Sequence, residues 1–133
     1  MFTHVMVGTN DIDKAKNFYD KVLGVLGAPE AAKVVKPNGQ VMLFYRHQDN
    51  VFVVAQPRNA EPATVANGAT IGFKCDSPEQ VEAFHQAAVE CGGKSIEDPP
   101  GLRELSTGKA YVAYVRDVDG HKLCAVYRFP PTK

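Results

Sequence analysis

The chain has 133 residues, 44% of them hydrophobic, and its fifteen basic residues balance fifteen acidic ones. This length suits one domain with a substantial core. The even charge, without a long basic run, argues against nucleic-acid binding through phosphate contacts. No apolar run approaches the roughly 20 residues that span a bilayer, and the first residues lack the pattern of a secretion signal. We therefore expect a soluble, cytoplasmic protein without nucleic-acid or membrane partners.

The first half of the chain opens with a predicted strand and helix. In FTHVMVG, Val5 and Val7 share one face of the strand, and His4 and Met6 share the other. Asp11 is the predicted N-cap of a helix whose apolar residues recur at helical spacing. Three further strands are predicted at about 31–36, 40–46 and 51–56. The predicted order is therefore β-α-β-β-β.

The second half repeats this order at a constant offset of 66 residues. In ATIGFKC, Ile71 and Phe73 take the positions of the two valines of the first strand. Ser77 is the predicted N-cap of the second helix, with Pro78 at its first position and Gln80 completing a capping box. The later strands are predicted at about 94–97, 110–116 and 122–128.

This repeat predicts an α+β fold of two tandem βαβββ modules. Module one covers about 1–57 and module two about 68–130, and a linker of about 58–67 joins them. Neither module could bury both faces of its sheet alone. We therefore expect a single domain over 1–133, in which the strands form a curved mixed sheet around a cleft with the helices on the outside.

The organisation resembles the vicinal-oxygen-chelate superfamily, which includes glyoxalase I, bleomycin-resistance and fosfomycin-resistance proteins, and extradiol dioxygenases. The resemblance rests on HVMVGTNDIDKAKNFYDKVLG, residues 4–24, and VRDVDGHKLCAV, residues 115–126. These segments look like the superfamily's opening strand and helix, and like its closing Asp-x-Asp-Gly turn and last strand. The resemblance implies the fold and a homodimer. It implies no single activity, because the superfamily hosts isomerases, dioxygenases, thiol transferases and drug binders on one scaffold.

The resemblance also implies four positions that face a divalent metal, on the first and last strands of each module. They are occupied by His4, Val53, Thr70 and Cys124. Histidine is a competent ligand and a thiolate binds soft metals, whereas threonine is a poor ligand and valine is none. The metal site is therefore predicted to be incomplete and no cofactor is favoured. If Zn, Ni or Mn binds, His4 and Cys124 are its ligands.

The three cysteines are an odd number without CxxC spacing, so the sequence indicates neither a disulfide framework nor a zinc knuckle. Cys124 could be a reactive thiol, but its position in the middle of the strand LCAV favours a small buried residue. Cys75, just before the second helix, is the better candidate for a lowered pKa, because a helix N-terminus favours thiolate, but a structural role is favoured for it as well. Cys91 lies on the apolar stripe of the second helix.

Further ligand-binding candidates come from strand ends and from one segment rich in Pro and Gly. The segment PPGLRELSTGKAY is predicted to be a long loop that forms a lid or wall of the cleft. Arg103 within it would pair with a carboxylate or phosphate, unless it is simply exposed to solvent. The predicted ligand-binding residues are His4, Met6, Tyr45, Thr70, Arg103, Tyr111 and Cys124.

Three functions remain open on these observations. The favoured one is a protein that binds a small organic molecule in the cleft between its modules, with an incomplete metal site. The alternative is a glyoxalase-like lyase or isomerase, or a dioxygenase. It would use a divalent metal held partly by His4, or His4 alone as a catalytic acid or base. The third is an interaction module without a ligand.

Overall fold

A computed structural model describes residues 1–131, so the last two residues of the predicted domain lie outside the described part. The elements are β1 Val5–Gly8, α1 Ile12–Val25, β2 Ala32–Val35, β3 Val41–His47, β4 Asn50–Ala55, β5 Ile71–Lys74, α2 Pro78–Glu90, β6 Lys94–Leu105, β7 Gly108–Arg116 and β8 Lys122–Arg128. The order βαβββ therefore occurs twice, and the predicted two-module α+β fold is confirmed. No helix between residues 1 and 131 is long and apolar enough to cross a membrane.

The eight strands form two mixed sheets of four strands each. Sheet one has the order β1-β4-β3-β2 and sheet two the order β5-β8-β7-β6. The parallel pairs are β1 with β4 in sheet one and β5 with β8 in sheet two. All other strand pairs are antiparallel. The mixed sheet predicted for the two modules is thus built from two four-stranded parts, one from each module. Strands β1 and β5 each form an edge of their own sheet.

Both helices begin where the sequence predicts. The side chain of Asp11 accepts a hydrogen bond from the backbone N–H of Lys14 at 3.1 Å. The hydroxyl of Ser77 accepts one from the N–H of Gln80 at 3.1 Å. The Gln80 side chain accepts from the N–H of Asp76 at 2.6 Å, one residue before the position of an ordinary capping box. These caps satisfy N–H groups that have no partner within the helix.

Each helix packs on one face of its sheet, here called the proximal face. The proximal residues in the core are Val5, Val7, Leu43, Tyr45, Phe52 and Val54 in sheet one, and Ile71, Phe73, Ala113, Val115, Leu123 and Ala125 in sheet two. The opposite, distal face is marked by Met6, Phe44 and Val53 in sheet one, and by Gly72, Tyr114 and Cys124 in sheet two.

The proximal sides of the two modules meet in one core. Tyr19 of α1 packs on Phe52 with ring centroids 5.1 Å apart, and Phe52 packs on Phe73 of module two at 5.5 Å. Phe73 in turn contacts Phe84 of α2 at 5.6 Å. This path of rings crosses the module boundary, so the aromatic core belongs to both modules.

The prediction of a long loop around Arg103 is wrong. Residues 94–105 form strand β6, which pairs with β7 and whose register shifts between Ile96 and Gly101. Two prolines, Pro99 and Pro100, lie in this irregular stretch. Proline lacks a backbone donor, but an edge strand with a bulge tolerates it because ladder bonds are not required there.

Candidate functional site

A cavity of about 530 Å³ lies between the two modules. Its walls come from the residues before β1, the end of α1, the turn between β3 and β4, strand β5 and the start of α2. Three of the predicted ligand-binding residues, His4, Tyr45 and Thr70, line it. The structure therefore brings part of the predicted set to one place, between the edge strands β1 and β5.

The inner walls of the cavity are apolar. Phe52 and Phe73, which meet across the module boundary, both line it together with Leu23 from α1. Aromatic residues on the proximal faces are expected to lie in the core. The alternation of apolar and polar residues in a strand does not show whether such a side chain is packed in the core or lines a cavity. Phe52 and Phe73 were therefore absent from the predicted site.

Polar groups surround the apolar part of the cavity. His4 precedes β1, is exposed, and its Nδ1 lies 2.9 Å from the hydroxyl of Thr3. His47 is half-buried and lies close to Gly27, where an added Cβ would come within 3.4 Å of its Cε1 atom. Gln80 donates a hydrogen bond to the carbonyl of Val25 at 3.0 Å and so joins the start of α2 to the end of α1.

The hydroxyl of Tyr45 already has a partner inside the protein. It donates a 2.8 Å hydrogen bond to Oδ1 of Asp20, and only 2% of the residue is exposed. Burial and this hydrogen bond raise the pKa of Tyr45 well above its ordinary value. The residue remains a neutral phenol, so it offers the cavity its ring rather than a free hydroxyl.

Tyr111 lies on the proximal face of sheet two, opposite Leu102 and Tyr127 in the strand register. Its hydroxyl donates a 2.5 Å hydrogen bond to Glu82 of α2, and this bond raises the pKa of Tyr111. Tyr111 therefore contacts the second helix and does not join His4 at the cavity lining.

The remaining predicted residues lie on the distal faces. Met6 pairs with Val53 in sheet one, and Cys124 pairs with Gly72 in sheet two. Arg103 lies on the distal face of β6, because it pairs with Ala110 across the ladder. The predicted ligand-binding residues are thus divided between the cavity, one helix contact and two sheet faces.

The donor set does not fit a catalytic divalent metal. No group of three or more His, Cys, Asp and Glu side chains that could hold a metal occurs within the described range 1–131. Of the four positions implied by the resemblance, Val53 supplies no donor, and Thr70 supplies only a neutral hydroxyl. Burial raises the pKa of the Cys124 thiol and disfavours the thiolate that a metal needs.

Cys75 does not have the lowered pKa that its position before α2 indicated. The residue is 2% exposed, and burial raises the pKa of its thiol to about 11. Desolvation therefore outweighs the backbone hydrogen bond at Val126, which acts to lower the pKa. All three cysteines are free thiols.

The comparisons with known proteins agree with this architecture. Residues 1–125 match the family described as the Glyoxalase/Bleomycin resistance protein/Dioxygenase superfamily, and the chain belongs to that family. A glyoxalase/bleomycin resistance protein from Albidiferax ferrireducens T118 is 47% identical in sequence. Its crystal structure superposes with a TM-score of 0.88 over 96% of this chain and 99% of that one. The resemblance seen in the sequence is therefore confirmed.

More distant solved structures share the fold. The fosfomycin resistance protein FosX from Mesorhizobium loti is 15% identical, with a TM-score of 0.64 over 97% of this chain and 92% of that one. A lactoylglutathione lyase from Agrobacterium tumefaciens is 19% identical, with a TM-score of 0.62 over 96% and 92% of the two chains. The search of curated proteins gave no match.

Proposed function

We propose that this protein binds a small, largely apolar organic molecule in the cavity between its modules. The observation that carries the proposal is the cavity itself, with a volume of about 530 Å³ and aromatic walls from Phe52 and Phe73. Pockets for small molecules typically measure about 300–1,000 Å³ and combine apolar walls with a few polar groups. This cavity has that size and that composition.

The polar groups determine which ligands would suit the cavity. His4, His47 and Thr70 offer hydrogen-bonding groups, while Lys74 and Asp76 contribute one charge of each sign. The lining therefore has no strong excess of charge. A neutral aromatic molecule with one or two hydrogen-bonding groups at its polar end fits this arrangement best.

A neutral aromatic dye tests the proposal. N-phenyl-1-naphthylamine becomes fluorescent in apolar surroundings, and its titration gives a dissociation constant. Ala28 lines the cavity, so Ala28→Phe fills part of the space and should weaken binding about tenfold or more. Ala83→Phe on the exposed surface of α2 is the matched control and should bind as the unchanged protein does. Equal affinities of both variants and the unchanged protein would contradict the proposal.

An enzymatic role for the same cavity is the second candidate, because His4 lines it. A lyase, isomerase or dioxygenase reaction would use His4 as acid or base, or as one ligand of a divalent metal. Metal analysis of the purified protein tests the metal-dependent form. One equivalent of Zn, Ni or Mn per chain that is lost in His4→Ala would support the metal-dependent enzyme. A metal content far below one equivalent in both the unchanged protein and His4→Ala would support a metal-free binder.

The homodimer implied by the resemblance is also proposed. Met6 in β1 is 53% exposed on the distal face of sheet one, and Val34 in β2, on the same face at the opposite edge, is 43% exposed. A second copy of the chain could cover these side chains, which a monomer leaves in water. Light scattering coupled to gel filtration should give twice the chain mass, and Met6→Lys should shift the mass toward the monomer. The cytoplasmic location stays a prediction from the sequence.

A further inference from the structure

Two asparagine–glycine pairs lie in exposed turns of the chain. Asn38-Gly39 lies in the turn between β2 and β3, and Asn67-Gly68 lies at the end of the linker between the modules. The backbone nitrogen that follows an asparagine can attack the carbonyl carbon of the asparagine side chain. Glycine in that following position leaves the approach open, because it has no Cβ. Each pair is therefore a candidate site for loss of the side-chain amide.

The first pair is held by hydrogen bonds in the folded protein. The N–H of Gly39 donates to the carbonyl of Lys36 at 2.8 Å. Oδ1 of Asn38 accepts from the N–H of Gln40 at 2.9 Å. The Gly39 nitrogen cannot turn toward the side chain of Asn38 unless the first bond breaks, and the side-chain carbonyl cannot turn unless the second one breaks. Both bonds therefore oppose the attack.

The second pair occupies a different place in its turn. The bond that closes this turn is donated by the N–H of Ala69 to the carbonyl of Ala66 at 3.0 Å, so Asn67 and Gly68 are the two central residues. Among residues 1–131, neither the N–H of Gly68 nor the side chain of Asn67 forms a hydrogen bond. Both residues are exposed, so water reaches them. No bond has to break before the nitrogen meets the carbonyl carbon.

The chain is fixed on both sides of this turn. Before it, the side chain of Asn10 accepts from the N–H of Ala63 at 2.7 Å and donates to its carbonyl at 3.1 Å. After it, Ile71 begins β5 and is held in the parallel ladder with β8. Thr70, between the turn and the ladder, lines the cavity between the modules. A change of backbone length at Asn67 must therefore be absorbed within a few residues that end at the cavity wall.

We propose that Asn67 is a site of spontaneous modification, at which the side-chain amide is lost to give aspartate or isoaspartate in the folded protein. The backbone nitrogen of Gly68 forms a bond to the side-chain carbonyl carbon of Asn67, and the bond from that carbon to the side-chain nitrogen breaks. The proton of the Gly68 N–H leaves with this nitrogen as ammonia, and a five-membered succinimide ring remains. One molecule of water then opens the ring, and no atom is oxidised or reduced.

The ring can open in two directions. Attack of water at the former side-chain carbonyl restores the ordinary backbone and gives aspartate. Attack at the former backbone carbonyl gives isoaspartate, in which the backbone passes through the side chain and is longer by one carbon atom. Both products add a negative charge at position 67, but only isoaspartate lengthens the segment next to Thr70. Its effect on ligand binding rests on the proposed function of the cavity, whereas the modification itself does not.

Peptide mapping of protein aged in mildly alkaline buffer tests the modification. Trypsin places the two pairs in separate peptides, residues 34–46 and 59–74, and mass spectrometry measures the replacement of amide by carboxylic acid in each. Asn67 should react about tenfold faster than Asn38 or more, because attack at Asn38 must first break two hydrogen bonds. In protein unfolded with guanidinium the two rates should become similar, since both turns are lost. Equal rates in the folded protein, or the same difference after unfolding, would overturn the proposal.

Variants separate the site from its neighbours and the charge from the backbone. Asn67→Gln should abolish the fast reaction, because the corresponding six-membered ring forms more slowly, and the matched control Asn38→Gln should leave it unchanged. A reaction of peptide 59–74 that persists in Asn67→Gln would place the modification at Asn59 and would overturn the proposal. Asn67→Asp carries the added charge on an ordinary backbone.

The effect on the cavity is measured with the same dye. The isoaspartate form, isolated by chromatography, should bind N-phenyl-1-naphthylamine about threefold more weakly than Asn67→Asp, or weaker still. Equal affinities of these two forms would overturn the effect on the cavity. Failure of the dye to bind the fresh protein would overturn that effect together with the proposed function, but not the modification of Asn67.

Discussion

The hydroxyl of Tyr19 in α1 donates a 2.5 Å hydrogen bond to the carboxylate of Asp117, in the turn between β7 and β8 of the other module. Both residues are buried. The second oxygen of Asp117 accepts from the backbone N–H groups of Asp119 and His121, both at 2.9 Å. The Asp-x-Asp-Gly turn thus connects β7 to β8 and also forms a hydrogen bond that joins the two modules.

Removing the Tyr19 hydroxyl should destabilise the protein. Tyr19→Phe leaves one oxygen of a buried carboxylate without its donor, which costs about 1–3 kcal/mol of the free energy of unfolding. Burial and the charge of Asp117 raise the pKa of Tyr19, so the hydroxyl remains a donor over the whole neutral range. Urea unfolding measures the change. Tyr111→Phe, which removes a hydroxyl bonded to the exposed Glu82, should cost under about 1 kcal/mol. A larger loss in Tyr111→Phe than in Tyr19→Phe would contradict this assignment.

Two glycines should respond to alanine with opposite signs. A Cβ at Gly93 would lie 2.7 Å from the carbonyl oxygen of Ala88 and 2.8 Å from Cε2 of Phe18. Gly93→Ala should therefore destabilise by about 2 kcal/mol or more, since backbone and a packed ring must move. Gly24, in the last turn of α1, has nothing within 4 Å of such a Cβ, so Gly24→Ala should stabilise by about 0.5 kcal/mol. Unfolding in denaturant gives both values, and equal signs would refute the contrast.

Asp20 should make stability depend on pH in the acid range. Although burial opposes it, hydrogen bonds from Lys16, the N–H of Ala31 and Tyr45 lower the pKa of Asp20. The contribution of the Asp20 carboxylate to the free energy of unfolding is therefore fully present above the unfolded-state pKa of about 3.9. It is lost as the pH falls through the lower folded-state pKa. Asp20→Asn should be less stable than the unchanged protein at pH 7, and the difference should shrink near pH 3. Urea unfolding at both pH values measures it, and a difference that does not vary with pH would rule out this linkage.

The three thiols should differ in their rates of modification. Cys75 and Cys124 are buried and burial raises both pKa values, whereas Cys91 at the end of α2 is half-buried. Ellman's reagent at pH 8 should therefore react with Cys91 in a fast phase and with the two buried thiols more slowly. The variant Cys91→Ser should lose the fast phase. A fast phase that persists in Cys91→Ser and disappears in Cys124→Ser would revive the interpretation of Cys124 as a reactive residue.

Local signals in the sequence predicted the elements well because they depend on neighbouring residues. Asp11 and Ser77 cap the helices they were expected to cap, and strand alternation placed Val5 and Phe73 on the faces that the helices cover. The segment of β6 was misassigned, because Pro-Pro-Gly indicates a loop unless the strand is known to be an edge. That knowledge requires the topology of the whole sheet.

The composition of the site was harder to predict, because it depends on how two modules meet. Tyr45 and Tyr111 lie in β3 and β7, the corresponding strands of the two modules, and each donates its hydroxyl to a carboxylate on the helix of its own module. Yet only Tyr45 lines the cavity between the modules. A repeat thus predicts matching local contacts, but it does not predict the surroundings of each copy.

The contact between Phe52 and Phe73 has a consequence for how the two modules depend on each other. A single βαβββ unit would expose the aromatic surface that the other unit covers here. One unit alone would therefore need a second copy of itself to bury these rings. Because one chain carries both units, their association is intramolecular and independent of concentration.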